Sequence, residues 1–184
     1  MKSVMISIKP KWCELIASGK KTVEVRKTRP KIEAPFKCYI YETKDKTKQY
    51  YDVFHKNTIG KVIGEFVCDI IFSISVTYSD PNSCVALKEF PYTCLTDKQI
   101  IDYLGNGKQG YGWHISDLVV YDNPKELSEF CKEDFDEALS NWEDLFSIGV
   151  PTGCVVKYPP EPKKEDYILT RPFQSWGYVE EIEE

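Results

Sequence analysis

The stretch Gly19-Lys20-Lys21-Thr22-Val23-Glu24-Val25-Arg26 separates two hydrophobic patterns and decides how the N-terminal part of the chain folds. Before it, residues 10–18 begin with a proline suited to a first helical turn and place Trp12, Leu15 and Ile16 on one face. Gly19 is a natural helix C-cap, so the sequence predicts a helix that ends there.

From Thr22 the pattern changes to strict alternation, which is typical of a half-buried strand. Val23 and Val25 fall on one face, whereas Thr22, Glu24 and Arg26 share the other. The second face is polar and charged, and we therefore expect it to carry chemistry.

Length and composition favour one soluble domain spanning residues 1–184, of which 42% are hydrophobic and 29% charged. No run approaches the roughly 18 apolar residues of a membrane span, and no signal-peptide core is present, so a cytoplasmic protein without a membrane partner is expected. The seven cysteines are scattered and accompanied by only two histidines, which favours reduced thiols over a zinc site. Neither a metal nor a cofactor is predicted.

Charge is distributed unevenly along the chain, whose net charge is -5. Residues 1–31 contain nine Lys or Arg against two Glu, a balance of +7 that leaves -12 for the remainder. A basic surface on an acidic body indicates a directed contact with an anion. A solvated lysine-rich surface is the alternative.

Beyond residue 31, strand patterns outnumber helix patterns, which predicts an α+β fold that is mainly β. An excursion at about 122–169 contains an acidic amphipathic segment. Strands are expected at 36–42, within 61–76, around 111–120 and at 171–179, with helices at 96–104 and within 123–147.

Glu65 interrupts the apolar strand pattern of residues 61–76. A carboxylate there either faces water on a sheet edge or is buried with a partner, because burying it alone costs several kcal/mol. Both arrangements stay open from the sequence.

Gly19, Lys21, Glu24 and Arg26 match the Gly-x-Lys-x-x-Glu-x-Arg signature of the ASCH domain, a member of the PUA-like β-barrel superfamily. Other stretches resemble the phage- and prophage-encoded branch of that family: Ser7-Ile-Lys-Pro-Lys-Trp, Gly64-Glu65-Phe66, Gly110-Tyr-Gly-Trp-His-Ile-Ser-Asp-Leu and Thr170-Arg-Pro-Phe-Gln-Ser-Trp. The resemblance implies a small antiparallel β-barrel with an N-terminal helix, peripheral helices and a cleft beside the first helix. It also implies recognition of RNA or a modified nucleotide.

One branch of the family is enzymatic and removes the acetyl group from acetylcytidine with a Lys, Thr and Glu set. Lys21 matches the lysine and Glu65 the glutamate, but the threonine falls at Glu24. A carboxylate does not replace a hydroxyl nucleophile, and Thr22 lies about 7 Å away along a strand. If the chain is an enzyme, the resemblance implies Lys21, Glu24 and Glu65 as its catalytic residues.

We expect Lys21, Glu24, Arg26 and Glu65 to converge on one concave site, where Lys21 and Arg26 can hold a phosphate or a carbonyl oxygen. A plain ion-pair network of the same side chains is the alternative. Trp113 and Trp176 can stack on bases or fill the core, and His114 is expected to be structural. The candidate ligand-binding residues are Lys9, Lys11, Lys21, Thr22, Glu24, Arg26, Glu65, Trp113, Arg171, Gln174, Ser175 and Trp176.

Two functional hypotheses follow. The first is a binding module for RNA or a nucleotide, and the second is a small amidohydrolase acting on an acylated nucleobase. The absent hydroxyl at position 24 favours the first. An adaptor for a protein partner is suggested only by the acidic helix pattern at residues 131–147.

Overall fold

The computed structural model describes residues 3–44, 57–75, 91–132, 134–147 and 159–182. It has nine strands: β1 (Ser3–Ile8), β2 (Val23–Arg26), β3 (Phe36–Glu42), β4 (Val62–Cys68), β5 (Ile71–Ser75), β6 (Gln109–His114), β7 (Ser116–Lys125), β8 (Phe130–Lys132) and β9 (Trp176–Glu181). Four α-helices accompany them in these ranges: α1 (Pro10–Ala17), α2 (Asp97–Leu104), α3 (Asp134–Ser147) and α4 (Lys164–Tyr167). Short 3-10 helices occupy Pro91–Thr93 and Leu127–Glu129.

The strands of the described residues form two sheets. A six-stranded sheet has the order β7-β4-β3-β1-β9-β8, and a three-stranded sheet has the order β2-β6-β5. The fold is mainly β with several helices, as the sequence predicts. The expected closed barrel is not observed, because no described strand pairing joins one sheet to the other. The sheets are also not wholly antiparallel, since β1 and β3 pair in parallel.

The N-terminal elements follow their local signals closely. Pro10 occupies the first turn of α1, and Gly19, just past the helix end, adopts a left-handed φ of 71°.

The predicted helix at 96–104 is α2, whose Thr96 N-cap and Gln99 form a reciprocal capping box. The predicted final strand begins only at Trp176, so Arg171 and Gln174 precede it.

The central strands β1 and β3 of the six-stranded sheet are buried on both faces, and alternation divides the side chains of the sheet between two clusters. Val4 and Ile6 of β1 pack with Trp113 in the first cluster, to which α1 contributes Ile16. The second cluster lies on the opposite face, and it includes Met5, Tyr39, Tyr41, Val62, Phe130, Leu169 and Val179. A third cluster packs Val25, Ile74, Ile100 and Leu104 between the small sheet and α2.

No helix in the described ranges has the length and apolar character needed to cross a membrane.

Candidate functional site

A cavity of about 400 Å³ lies beside α1, where β1, β2 and α2 approach the segment before β9. Its walls come from distant parts of the sequence: Ser7, Ile8, Lys9, Trp12, Lys21, Glu24, Val25, Arg26, Thr43, Leu95, Gln99, Tyr103, Gln174 and Ser175. The volume falls in the range of small-molecule sites, roughly 300–1,000 Å³. This cavity is the candidate site.

Lys21 is buried in the wall of the cavity, with its side chain only 1% exposed. Its ammonium donates hydrogen bonds to the carbonyl oxygens of Val23, at 2.8 Å, and Thr93, at 2.6 Å. The ammonium also lies 3.2 Å from Glu24 Oε2. An ammonium has three hydrogens, so these three partners occupy all of them. Lys21 therefore binds within the protein and has no hydrogen left for a ligand in this arrangement.

Glu24 joins two cations, Lys21 just before β2 and Arg26 at the end of β2, through its two carboxylate oxygens. Oε2 lies 3.2 Å from the Lys21 ammonium, and Oε1 lies 3.1 Å from Arg26 Nη2. The Glu24 side chain is 10% exposed, so the three charges form a compact and largely buried network. Burial is tolerated here because each charge is paired.

Arg26 connects this network to β1 and to the segment before β9. Its Nη2 donates to the carbonyl oxygen of Ser7 at 2.7 Å, while Nη1 lies 3.4 Å from both the carbonyl oxygen and the hydroxyl of Ser175. The buried Nε has no hydrogen-bond partner among the residues that the structure describes. Because the guanidinium group contacts three segments at once, Arg26 fixes the shape of the cavity floor.

The rim of the cavity carries more accessible groups. Lys9 and Gln174 are exposed, and Trp12 is half-buried. Lys11 is also exposed and places its ammonium 4.9 Å from the centroid of the Trp12 ring, although Lys11 itself does not line the cavity. A ligand entering the cavity would meet these side chains first.

Glu65 does not belong to this site. It pairs across the sheet with Tyr39, whose ring belongs to the second cluster, whereas Trp12 beside Lys21 packs against the first. Cross-strand partners share a face, so the Glu65 carboxylate lies on the face opposite the cavity. The expected convergence of four charged residues therefore holds for Lys21, Glu24 and Arg26 and is wrong for Glu65.

The surroundings of Glu65 explain how a carboxylate is accommodated in an apolar strand. β4 lies between β3 and β7, so Glu65 is not on a sheet edge. Its Oε2 accepts a hydrogen bond of 2.5 Å from the Tyr121 hydroxyl, and its Oε1 lies 3.0 Å from the Lys37 ammonium. Of the two arrangements left open by the sequence, the one with a partner is observed.

Four other candidate residues lie outside the cavity wall. Trp113 is fully buried in the first cluster, and Trp176 is half-buried with its ring 5.9 Å from that of Trp113. Thr22 uses its backbone to contact Tyr92 and Ile115, and Arg171 is exposed. Stacking of a base on Trp113 would require the core to open. Of the two roles considered for Trp113, the structure therefore shows the core role.

His114 forms a separate pair with Asp69, with 2.7 Å between Nδ1 and Oδ1. The pair is partly exposed and is not among the groups that line the cavity. No set of three His, Cys, Asp or Glu side chains within the described ranges is arranged to hold a metal ion.

Sequence reasoning missed several cavity residues. Gln99 and Tyr103 are four residues apart on α2, so they share a helix face that was recognisable as a unit but not as part of the site. Ser7 and Thr43 were not recognised as wall residues, because their place in the wall depends on how β1 and β3 pair.

Comparisons with known proteins agree with the resemblance noted in the sequence. Residues 6–80 match the family model of the ASCH domain. No curated protein matches the chain at a significant level. A crystal structure of ASCH from Zymomonas mobilis is similar in fold, with a TM-score of 0.51 and 20% sequence identity over 83% of this chain and 84% of that one.

Crystal structures of two variants of the Zymomonas mobilis protein give the same result. A tyrosine-to-phenylalanine variant has a TM-score of 0.51 and 19% identity over 83% of this chain and 87% of its own. A serine-to-alanine variant has a TM-score of 0.50 and 20% identity over 83% of this chain and 84% of its own. Residues 6–80 of this chain are thus similar to the ASCH domain, and the chain shares its fold with the Zymomonas mobilis protein.

Proposed function

We propose that the cavity beside α1 binds RNA or a modified nucleotide, and that the chain acts as a PUA-like binding module of the phage-encoded branch. The ASCH domain belongs to a family proposed for RNA binding, which agrees with this assignment. The proposal includes a single domain and a cytoplasmic location, where such ligands occur.

The observation that carries the proposal is the combination of groups in the cavity wall. Glu24 and Arg26 supply an acceptor and a planar donor at its floor, and Trp12 and Tyr103 add aromatic surface. Single-stranded RNA is recognised by hydrogen bonds to base edges together with stacking on aromatic rings. A wall with both kinds of group suits a nucleobase better than it suits an apolar ligand or a bare anion.

The rim supports the same assignment. Lys9 is exposed beside the cavity, and Lys11 lies on the neighbouring Trp12 ring. A base held inside the cavity would leave its sugar and phosphate at this rim, where ammonium groups attract phosphate oxygens. The local excess of positive charge in residues 1–31 has the sign that this contact needs.

A titration of the purified protein with RNA oligonucleotides and a panel of modified nucleosides tests the proposal. Lys9→Ala and Tyr103→Ala should each weaken binding, because one removes a rim charge and the other an aromatic wall. Lys132→Ala, an exposed lysine on β8, serves as the control. Absence of binding to every nucleoside, nucleotide and RNA, or equal binding by all these variants, would overturn the proposal.

Amidohydrolase activity on an acylated nucleobase is the second candidate, because Lys21 and Glu24 are in contact at the cavity wall. Two features weigh against it. The Lys21 ammonium already has three partners, and Glu65 lies on the opposite sheet face. Incubation with N4-acetylcytidine should therefore leave the acetyl group in place. Turnover by the wild type would establish the enzyme instead.

A further inference from the structure

Three cationic residues directly follow β2, the strand that carries Glu24 and Arg26, and they indicate a second contact surface. The segment from Lys27 to Lys31 leaves β2 immediately after Arg26 and carries Lys27, Arg29 and Lys31, all exposed. The sequence has no acidic residue between Arg26 and Glu33. We call residues 27–31 the basic connection.

The basic connection is held in place by aromatic side chains. Lys27 places its ammonium 5.3 Å from the centroid of the Tyr103 ring, and the Arg29 guanidinium lies 5.8 Å from that of Tyr111. Such contacts are worth about 0.5–1 kcal/mol each at exposed sites, enough to bias a side chain but not to bury it. The cationic groups are therefore oriented and still accessible.

Two hydrogen bonds, one to a side chain and one from the backbone, hold the same segment in place. Trp176 Nε1 donates to the Thr28 hydroxyl at 3.0 Å, and the Lys31 amide donates to the Tyr178 hydroxyl at 2.8 Å. Both partners come from β9, the strand that follows the cavity residue Ser175. The basic connection is thus ordered by the same strand that helps to frame the cavity.

Its charges are not neutralised locally. Among the residues that the structure describes, none forms an ion pair with Lys27, Arg29 or Lys31. The nearby Asp102 is paired with Lys98 at 2.6 Å. A protein whose remaining residues are strongly acidic keeps three adjacent cations unpaired here, which favours an external anionic partner.

The basic connection begins at the mouth of the cavity, since Tyr103 contacts Lys27 and also lines the cavity. Five extended residues span at most about 17 Å, enough to follow more than one phosphate of a strand. A free nucleotide in the cavity would leave this surface unused, because its own phosphate would lie at the rim beside Lys9 and Lys11.

We propose that the ligand is a single-stranded polynucleotide: one nucleotide enters the cavity, and the basic connection binds the phosphates of its neighbours. This inference rests on the function proposed above and extends it from a nucleotide to a strand. A double helix would not release a base into the cavity without unpairing, so a single strand suits the arrangement better.

The test compares a ribonucleoside monophosphate with a single-stranded RNA of about ten nucleotides, a length within single-strand site sizes. The variant Lys27→Gln/Arg29→Gln/Lys31→Gln removes the three charges at exposed positions. The matched control is Lys132→Gln/Lys163→Gln/Lys164→Gln, an equal charge change at exposed lysines on β8 and at the start of α4. Circular dichroism melting verifies that both triple variants are folded.

The wild type and the control should bind the oligonucleotide more tightly than the monophosphate, and the basic-connection variant should lose that preference while keeping its affinity for the monophosphate. For a single strand, the slope of log K against log salt concentration is about -0.7 for each neutralised phosphate. The loss of three phosphate contacts should therefore make this slope less steep by about 2. Between about 50 and 200 mM salt, the wild type should therefore lose about 20-fold more affinity than the variant.

The outcomes separate the two proposals. Equal binding of monophosphate and oligonucleotide, with no effect of the triple change, would overturn the strand proposal and leave the nucleotide site intact. Binding of neither ligand would overturn both. Tighter binding of single-stranded DNA in a parallel titration would support a strand with a different sugar, whereas preference for an acidic peptide would overturn the assignment to nucleic acid.

Discussion

The ammonium of Lys21 donates a 2.6 Å hydrogen bond to the carbonyl oxygen of Thr93, a residue 72 positions farther along the chain. The adjacent Thr22 amide donates to the carbonyl oxygen of Tyr92 at 3.1 Å. Together these bonds fasten the 3-10 helix at Pro91–Thr93 to the start of β2. Lys21 thus connects two segments that are distant in the sequence.

Replacing Lys21 with methionine should destabilise the protein by about 3–5 kcal/mol, because Glu24 and two carbonyl oxygens would lose a buried cation. Urea unfolding followed by circular dichroism measures the loss. Lys20→Met is the matched control, since Lys20 is exposed and adjacent, and it should change stability by less than about 0.5 kcal/mol. Equal losses in the two variants would contradict this connection.

Lys21 and Glu24 should be energetically coupled. Lys21→Met and Glu24→Gln each leave the other charge with one charged partner fewer, whereas the double variant removes both charges. The double variant should therefore be more stable than the sum of the single losses predicts, by about 0.5–3 kcal/mol. A double-mutant cycle in urea gives this coupling directly, and strict additivity would show that the 3.2 Å contact contributes nothing.

Glu65 should make the free energy of unfolding depend on pH in the acidic range. Burial alone raises the pKa of Glu65, but hydrogen bonds from Tyr121 and Lys37 outweigh burial and hold the pKa below its usual value. The pKa of a glutamate in the unfolded chain is about 4.3. The contribution of Glu65 to the free energy of unfolding is therefore complete above that pH, and it is lost as the pH falls through the lower pKa of the folded state.

Glu65→Gln should thus be less stable than the wild type at neutral pH, and the difference should shrink as the solution is acidified below about pH 4. Urea midpoints at a series of pH values measure this effect. Tyr121→Phe removes one of the stabilising donors and should reduce the same acid dependence. A difference between wild type and Glu65→Gln that is constant across the series would exclude the role of Glu65.

Cysteine reactivity should follow burial. Burial, with the charges of Glu42 and Glu24, raises the pKa of the Cys13 thiol well above its usual value, and burial with the charge of Asp69 raises that of Cys68 to about 12. Cys94 is exposed. Brief treatment with iodoacetamide near neutral pH, followed by peptide mass spectrometry, should label Cys94 and spare Cys13 and Cys68. Labelling of all three at similar rates would mean that the core opens readily.

Local parts of this fold were predictable because their signals are local. A proline at the first turn, a glycine after the last turn and strict alternation gave α1 and β2. The helix pattern at residues 96–104, followed by Gly105, gave α2 in the same way. The clustering of Lys21, Glu24 and Arg26 also followed, since all three belong to one short segment.

The rest depended on pairings between distant strands. Alternation indicates that Glu65 and Phe66 point to opposite faces, but not which face meets α1; that is decided by the pairing of β4 with β3. The parallel pairing of β1 with β3 likewise has no local signal. The burial of Lys21 was equally hidden, because lysine is rarely buried without partners and those partners include a carbonyl from residue 93.

The cavity wall draws on residues from Ser7 to Ser175, so the site is assembled only when both ends of the described chain are in place. A compound that occupies the cavity binds the folded chain alone, and it must raise the melting temperature by an amount that increases with the logarithm of its concentration relative to its dissociation constant. Thermal-shift screening can consequently find ligands without any assay of turnover. It can also rank fragments of a nucleotide, such as base, nucleoside and phosphate, by the stabilisation that each confers.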